Sequence, residues 1–298
     1  LREKIMLQEN DVTNVRRLFH AEGDHVPGLI IDQYNDCCVI QTHTTGMERE
    51  IQKIALAIDK LVSPETIYHK SSSGPESSGW LKGSATETRV TENGCSFMVN
   101  WTKGQKTGFF IDQRDNRQLL QSYSKGRKVL NAFSYSGGFS AYAAKGGATS
   151  VDSVDSSSSA IAWCDENMEL NGYTGENYRS HCADVFRFLK SMGDDHDLVI
   201  LDPPAFAKHR DSIPNAIKGY TNLNYEAMKK MPSDSLLFTF SCSQAITTDD
   251  FRKAIFKASA RARRKVKVLH RLSQPADHPV NIYHPEGEYL KGLVLHIS

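Results

Sequence analysis

The feature that most constrains the fold is an alternation, from Val129 onward, of short β-type segments with segments of helical periodicity. This alternation is typical of a parallel sheet covered by helices, because each parallel strand needs a crossover before the next one. It predicts an α/β fold with a doubly wound, mostly parallel sheet whose last strand runs antiparallel. The predicted strands are Lys128–Phe133, Ser150–Val154, Tyr178–Cys182, Leu198–Leu201, Ser235–Phe240, Val266–Leu272 and Gly292–Ile297, and the predicted helices are Phe139–Lys145, Ser157–Leu170, Val185–Met192, Asn222–Met231 and Asp249–Arg263.

The part of the chain before Asn100 has a different order of elements, which predicts a separate, smaller α+β domain with a β-hairpin. Its expected strands are Leu29–Asp32, Cys37–Thr42, Thr66–Lys70, Glu87–Thr91 and Ser96–Trp101, with a helix at Glu48–Leu61. Ser71–Gly83 is rich in Ser and Gly and is predicted to be a mobile loop. The predicted domains are therefore 1–103 and 104–298.

Composition excludes several classes of protein. A formal net charge of +1 rules out the strongly basic field of a protein that binds nucleic acid over its whole surface. The longest apolar runs are strand-sized, and the N-terminus has no apolar stretch of the kind found in secretory signals. The six Cys form no Cys-x-x-Cys pair, which predicts reduced thiols, no metal site and a cytoplasmic protein. The chain does not begin with Met, which predicts a trimmed or truncated chain.

A glycine-rich turn follows the first strand of the larger domain, where a backbone can approach a ligand closely. Its candidate cofactor-binding residues are Asn131, Phe133, Tyr135, Ser136, Gly137 and Gly138. Tight strand-to-helix turns also use Gly for packing alone, so both interpretations stay open. Asp155 ends the next strand, where a carboxylate can accept the hydroxyl protons of a ribose or, alternatively, cap the following helix.

Asp184 follows the third strand of this domain and can either accept a hydrogen bond from an adenine amino group or cap a helix. The Gly-rich turn is followed by no phosphate-binding Lys. Together with two acids, such a turn favours an adenosyl ligand without a pyrophosphate over a dinucleotide.

Asp202-Pro203-Pro204-Ala205-Phe206 follows a buried strand, at the end where open α/β sheets bind their ligands. The prolines stiffen this loop, and the Phe206 ring is of the kind that stacks on a nucleic acid base. Lys208 comes directly after the loop and is a candidate for contacting the substrate. A purely structural stop after the strand is the alternative.

Cys242 ends the next strand and is therefore expected at the same sheet edge as Asp202. The C5 atom of cytosine is a poor nucleophile, and a thiolate that adds at C6 activates it. A buried Cys is otherwise a small hydrophobic residue, so its position after the Asp-Pro-Pro strand carries the functional interpretation.

These motifs resemble those of class I S-adenosylmethionine-dependent methyltransferases, and most closely the bacterial 23S ribosomal RNA cytosine-C5 methyltransferases. The resemblance covers nearly the whole chain and extends to 27–32, 104–117, 277–280 and 288–292. It implies S-adenosylmethionine as the cofactor and RNA as the partner. It also implies that Cys242 is the nucleophile and that Asp202 orients the base or the methyl donor.

The resemblance further implies that Asp155 and Asp184 hold the adenosine and that Gln113 and Arg117 help to close the cofactor pocket. Two departures from the family pattern stand out. Asn131 occupies a position that is usually Asp, and nothing before Leu1 supplies the PUA domain with which the family usually begins. Relatives that methylate purines share the Asp-Pro-Pro loop and lack the cysteine, so Cys242 favours cytosine.

Two other classes of protein remain as alternatives. A nicotinamide-dependent oxidoreductase would use the same turn, but the Gly-x-Gly-x-x-Gly pattern is missing. An RNA-binding module without catalysis would leave Asp202 and Cys242 unexplained. The basic segment Arg261–Lys267 can contact phosphates or simply end a solvated helix, and domain 1–103 is a candidate for binding RNA or substrate. The sequence leaves the oligomeric state, including a homodimer, undetermined.

Overall fold

The computed structural model of the chain describes residues 12–207 and 209–298, apart from the side chains of Pro75 and Arg210. The chain forms two compact units. The first ends at Arg114 and also includes Pro275–Gly287, and the second comprises Asp115–Gln274 and Glu288–Ser298.

The boundary therefore lies later than the predicted one between residues 103 and 104, and contacts of Arg114 explain the difference. Its guanidinium donates to the Val15 carbonyl at 2.9 Å and to the Asp277 carboxylate at 3.0 Å. These bonds hold both Arg114 and the returning segment Pro275–Gly287 within the first unit. Sequence order alone cannot reveal such a return of the chain.

The first unit contains a five-stranded sheet in the order β1 to β5, together with a separate hairpin of β6 and β7. Among the described strands of this sheet, β3 and β4 form the one parallel pair, and the other neighbours are antiparallel. Two helices connect β3 to β4, and α2 buries Ala55 and Ile58 against Ile31 and Ile40 of the sheet. The elements are β1 Val15–His20, β2 Leu29–Tyr34, β3 Cys37–Thr42, α1 Thr45–Arg49, α2 Ile51–Val62, β4 Thr66–Ser71, β5 Gly79–Lys82, β6 Glu87–Glu92 and β7 Cys95–Asn100.

The segment Ser71–Gly83 is not a loop throughout, contrary to the prediction. It contains β5, which pairs antiparallel with β4 and places Trp80 opposite Tyr68 with ring centroids 5.4 Å apart. The Ser and Gly content hid this strand because only four residues, Gly79–Lys82, carry the β character. Cross-strand aromatic pairing then supplies the stabilisation that propensity does not indicate.

The second unit is built on a seven-stranded sheet in the order β10-β9-β8-β11-β12-β14-β13. Strands β8 to β12 pair in parallel, and β14 runs antiparallel to both of its neighbours. The predicted doubly wound α/β sheet with an antiparallel last strand is thus confirmed. The elements are α3 Arg114–Tyr123, which begins at the last residue of the first unit, β8 Lys128–Ala132, α4 Gly138–Lys145, β9 Ser150–Asp155, α5 Ser158–Leu170, β10 Tyr178–Cys182, α6 Val185–Ser191, β11 Leu198–Leu201, α7 Ile213–Lys230, β12 Ser235–Ser241, α8 Thr248–Ala262, β13 Val266–Leu272 and β14 Lys291–Ile297.

Helix α7 begins well before the predicted helix Asn222–Met231. Pro214 lies in its first turn, where a missing backbone N–H leaves no intrahelical bond unmade. Pro214 and Gly219 weaken the helical pattern of this stretch, so the sequence indicates a helix only from Asn222 onward. Across the described part of the chain, no helix combines the length and the apolar character needed to cross a membrane.

Candidate active site

The loops after the five parallel strands of the second unit lie at the carboxyl edge of its sheet. Leu201, the last residue of β11, pairs with Ala132 of β8 on one side and with Thr239 of β12 on the other. The chain continues past this edge at Asp202, whose backbone N lies 3.5 Å from the Ala132 carbonyl oxygen. The edge is a topological switch point, because the chain goes from β8 to β9 and β10 on one side and then crosses back to β11 and β12 on the other side of β8.

Cys242 lies at this edge, as the sequence predicts. It follows β12 directly, and its half-buried thiol donates to the Pro203 carbonyl oxygen at 3.8 Å. The structure therefore brings Cys242 to the Asp-Pro-Pro loop. Pro203 is buried, whereas Pro204 is exposed.

The loop between β8 and α4 has an unusual backbone. Phe133 and Tyr135 have φ angles of 62° and 44°, and Gly137 has a φ of 80°. Positive φ costs a residue with a side chain of the order of 1 kcal/mol or more, and such residues cluster at ligand sites. The loop is closed by a hydrogen bond from Gly137 N to the Ser134 carbonyl at 2.8 Å.

Two buried polar atoms of this region fit a polar ligand. The Nδ2 atom of Asn131 donates to Ser140 Oγ at 2.8 Å, which leaves Asn131 Oδ1 buried. Neither Asn131 Oδ1 nor Ser134 Oγ has a hydrogen-bond partner among the described residues. A buried polar atom is costly unless something bonds to it, so a ligand with donors and acceptors would satisfy both.

Asp155 links the loop to the next strand. One carboxylate oxygen accepts from Tyr135 N at 3.0 Å and the other from Ser157 N at 2.9 Å. Ser157, and not Asp155, is the N-cap of α5. Each carboxylate oxygen has a second lone pair, so Asp155 retains the capacity to accept ribose hydroxyls.

Asp184 is the N-cap of α6, and its carboxylate accepts from Arg187 N at 2.9 Å. The capping alternative is thus realised for this exposed residue. Its position is still the carboxyl edge, because Cys182 pairs with Asp155 in the parallel register of β10 and β9. A capping carboxylate leaves its second oxygen available to a ligand.

Gly137 and Gly138 pack closely against their neighbours. A Cβ atom on Gly137 would lie 2.6 Å from Cys164 Sγ of α5, and one on Gly138 would lie 3.2 Å from Cδ of Arg117. Arg117 is buried, with its guanidinium 5.8 Å from the centroid of the Tyr142 ring. Packing against Cys164 thus contributes to the need for Gly137, Arg117 lies beside the first residue of α4, and the predicted cofactor roles of both residues stay predictions.

Gly137→Ala is expected to destabilise the protein by about 2 kcal/mol, because both the backbone angle and the space at Cys164 oppose a side chain. Gly172→Ala is the matched control, since Gly172 has a φ of 79° and nothing within 4 Å of the added Cβ. The control should cost only the backbone strain, about 1 kcal/mol. Urea unfolding of both variants checks this, and equal losses would contradict a packing role for Gly137.

Phe206, the predicted base-stacking residue, packs one side of its ring within the protein. Its ring packs on Tyr220 at a centroid distance of 4.6 Å and lies against Gly219, where a Cβ would come within 2.9 Å of Cδ2. The half-buried ring is thus packed against α7, and any stacking on a ligand would use the other face of the ring. Lys208, the other predicted substrate residue after this loop, lies outside the described residues.

The structure adds three residues that the sequence interpretation missed. Ser243 Oγ accepts from Ala207 N at 3.3 Å and bonds to the Tyr220 hydroxyl at 2.9 Å. Lys291 donates from Nζ to the Ser243 carbonyl at 2.8 Å. Burial raises the pKa of Tyr220, although bonds from Ser241 and Ser243 oppose this effect, and so the phenol stays protonated. The sequence signal that could have identified Lys291 is a lysine at the start of the otherwise largely apolar strand β14.

Two further predictions concern Gln113 at the cofactor pocket and the basic segment Arg261–Lys267. Gln113 is a buried residue of the first unit, and its predicted part in the pocket stays a prediction. In the basic segment, Arg264 donates to the carbonyls of Met231 and Pro232 at 2.8 and 2.9 Å, so its guanidinium has a structural role. Arg261 stacks on the Tyr225 ring, with 3.9 Å between Cζ and the ring centroid.

Known proteins resemble this chain over most of its length. The Ribosomal RNA large subunit methyltransferase I of Shewanella denitrificans is 37% identical over 98% of this chain and 76% of its own length. The enzyme of the same name from Alteromonas mediterranea is 38% identical over 96% of this chain and 75% of its own length. A crystal structure described as a methyltransferase complexed with SAH (S-adenosylhomocysteine) superposes with a TM-score of 0.86 at 28% identity, covering 96% of this chain and 76% of the other.

A family model described as S-adenosylmethionine-dependent methyltransferase matches residues 16–291. This match includes the turn after β8, the Asp-Pro-Pro loop and Cys242. The unpartnered atoms of Asn131 and Ser134 at the sheet edge agree with a polar cofactor there. The chain therefore belongs to the S-adenosylmethionine-dependent methyltransferase family.

Proposed function

We propose that this protein transfers a methyl group from S-adenosylmethionine to C5 of a cytosine in large-subunit (23S) ribosomal RNA, a cytoplasmic substrate. The names of the relatives support ribosomal RNA as the substrate class. The observation that carries the choice of cytosine is the thiol of Cys242, 3.8 Å from the Pro203 carbonyl beside Asp202. A thiol at the edge where the methyl donor binds is what methylation of a pyrimidine carbon requires.

The cofactor would be held by the turn after β8 and by the acids of the neighbouring strands. Asp155 would accept the ribose hydroxyls, Asp184 would lie at the adenine, and Asn131 would face the methionine end. Arg117 would close the pocket at the start of α4. When bound, the cofactor supplies a methyl group on a positively charged sulfur.

The target base would be held by the rigid loop of Pro203, Pro204 and Phe206, with Lys208 on the RNA backbone. Asp202 would accept a hydrogen bond from the exocyclic amine of cytosine or from the methyl donor's amino group. Two consecutive prolines fix the loop before the base arrives, which reduces the ordering cost of binding. Base and cofactor would then meet at the end of β11.

The thiolate of Cys242 would add to C6 and form a carbon–sulfur bond. The electron pair of the C5–C6 double bond then makes C5 nucleophilic, and C5 takes the methyl group while the carbon–sulfur bond of the donor breaks. A base next removes the proton from C5. The returning electron pair restores the double bond and expels Cys242 as a thiolate, which leaves 5-methylcytosine.

The experiment is transfer of labelled methyl groups from S-adenosylmethionine to large-subunit ribosomal RNA from cells that lack the enzyme. Nuclease digestion and chromatography then identify the labelled nucleoside. We expect 5-methylcytidine as the product. A labelled purine would refute the cytosine assignment and support a purine methyltransferase on the same fold, and no labelling of any ribosomal RNA would refute the substrate class.

A further inference from the structure

Lys291 is a buried lysine beside the proposed nucleophile. Lys291 is the first residue of β14 and pairs with Ser241, the last residue of β12. Cys242 directly follows Ser241 in the sequence. Only 5% of the Lys291 surface is exposed to solvent. Lysines are almost never buried to this extent unless a partner compensates the charge.

The contacts of Lys291 leave that charge uncompensated. Nζ donates to the neutral carbonyl of Ser243 at 2.8 Å, and no ion pair joins it to a carboxylate within the described residues. The pKa of Lys291 lies below its ordinary value because burial outweighs the opposing effects of the negative charges of an ionised Cys242 and of Glu288. Glu288 is exposed, where solvent screens its charge. The Cys242 thiolate is thus the anion best placed to offset the buried ammonium.

The same contacts fix the backbone that carries Cys242. The Ser243 carbonyl holds Lys291, while its hydroxyl bonds to Tyr220 of α7 and accepts from Ala207 N in the loop after Asp202. Electrostatic interactions link the Cys242 thiol to Lys291 of β14 and to the protonated Tyr220 of α7. Of these two residues, Lys291 is the one that can carry a positive charge.

We propose that Lys291 is a positioning residue whose ammonium holds the Cys242 thiol in its thiolate form, ready to add to the pyrimidine ring. This inference rests on the proposed function, in which Cys242 is the nucleophile. Lys291 is buried and Cys242 is half-buried, so water screens the attraction between the two charges less than it would at the surface. No proton needs to move to a third group before the addition step.

The test is the pH dependence of the rate at which iodoacetamide alkylates Cys242 in the intact protein without RNA, followed by peptide mass spectrometry. Cys182, the exposed thiol, is replaced by Ser in all samples, and the other four cysteines are buried. The rate rises with the thiolate fraction, so its midpoint reports the ionisation of Cys242. Lys291→Met removes the charge, Lys291→Arg keeps it, and Lys267→Met removes an exposed charge from neighbouring β13.

We expect the parent protein to show a midpoint below the ordinary thiol value of about 8.5. Lys291→Met should raise it by about 1 pH unit or more, while Lys291→Arg and Lys267→Met should stay within about 0.3 of the parent. A parent midpoint at or above about 8.5 overturns the proposal even if Lys291→Met fails to fold. An equal midpoint in folded Lys291→Met overturns it as well.

The outcome is separable from that of the proposed function. The alkylation uses no RNA, so an unmoved midpoint together with 5-methylcytidine as the product would remove only the role of Lys291. A moved midpoint together with a purine product would remove only the cytosine assignment.

Discussion

Replacing Cys242 with alanine is expected to lower methyl transfer to ribosomal RNA by more than about 10³-fold while leaving the affinity for S-adenosylmethionine within about threefold. In the proposed mechanism the thiol acts on the base, whereas the turn after β8 and Asp155 would hold the cofactor. Cys242 is half-buried, so its truncation removes few packing contacts. Calorimetric titration with S-adenosylhomocysteine and single-turnover methyl transfer measure the two quantities separately.

The matched control is Cys182→Ala, which removes the exposed thiol at the end of β10 and should retain the parent rate within about threefold. A second readout traps the covalent step. RNA with 5-fluorocytosine at the target has no proton on C5 to lose, so elimination cannot release Cys242. The parent should form a covalent protein–RNA complex that depends on S-adenosylmethionine, and Cys242→Ala should form none.

The two readouts together decide the mechanism. Full activity in Cys242→Ala would make the thiol structural and would leave only the methyltransferase family assignment standing. Lost activity together with a cofactor affinity weakened a hundredfold would show instead that the substitution disturbs the loop at Pro203.

The meeting of the Asp202 and Cys242 loops at one sheet edge was predictable because it follows from strand order. Asp202 and Cys242 each end a predicted strand, and the carboxyl ends of parallel neighbours meet. The register of β11 with β12, which pairs Leu201 with Thr239, then brings the two loops together as expected. Local sequence carried this information because each strand is a short apolar run with a polar residue directly after it.

The residues around Cys242 were not predictable in the same way. Lys291 lies far from Cys242 in sequence and reaches it because β14 inserts between β12 and β13. Sequence patterns indicate that a last strand exists but not which neighbour it pairs with. Tyr220 was missed for a related reason, since the predicted helix began only at Asn222 and left Tyr220 outside it.

Capping roles were the other limit of prediction. An Asp after a strand is equally suited to a ligand and to a helix start, and the sequence does not show which helix ends such residues cap. Asp184 proves to be a cap, whereas at α5 the cap is Ser157 and Asp155 bonds to the backbone of Tyr135. The turn itself is shaped by the packing of Gly137 on Cys164, which no local pattern reveals.

A large effect on stability is expected in the first unit from Asp32→Ala. Asp32 is fully buried and accepts two bonds from Arg17, at 2.7 Å from Nε and 2.9 Å from Nη2, and a third from Thr107 Oγ1 at 2.6 Å. Arg17 is itself buried, so the substitution leaves a guanidinium without its carboxylate in a dry environment. We expect the free energy of unfolding to fall by about 3–5 kcal/mol.

Urea unfolding followed by circular dichroism measures this loss, and Glu50→Ala is the control. Glu50 pairs with Lys53 on the surface at 2.7 Å, and loss of that pair should cost less than about 0.5 kcal/mol. The double variant Arg17→Met with Asp32→Ala tests the cause. If the stranded guanidinium is responsible, the double variant should recover about half or more of the loss, since both charges are then absent. A double variant no more stable than Asp32→Ala would instead assign the loss to the cavity and to the broken bond with Thr107.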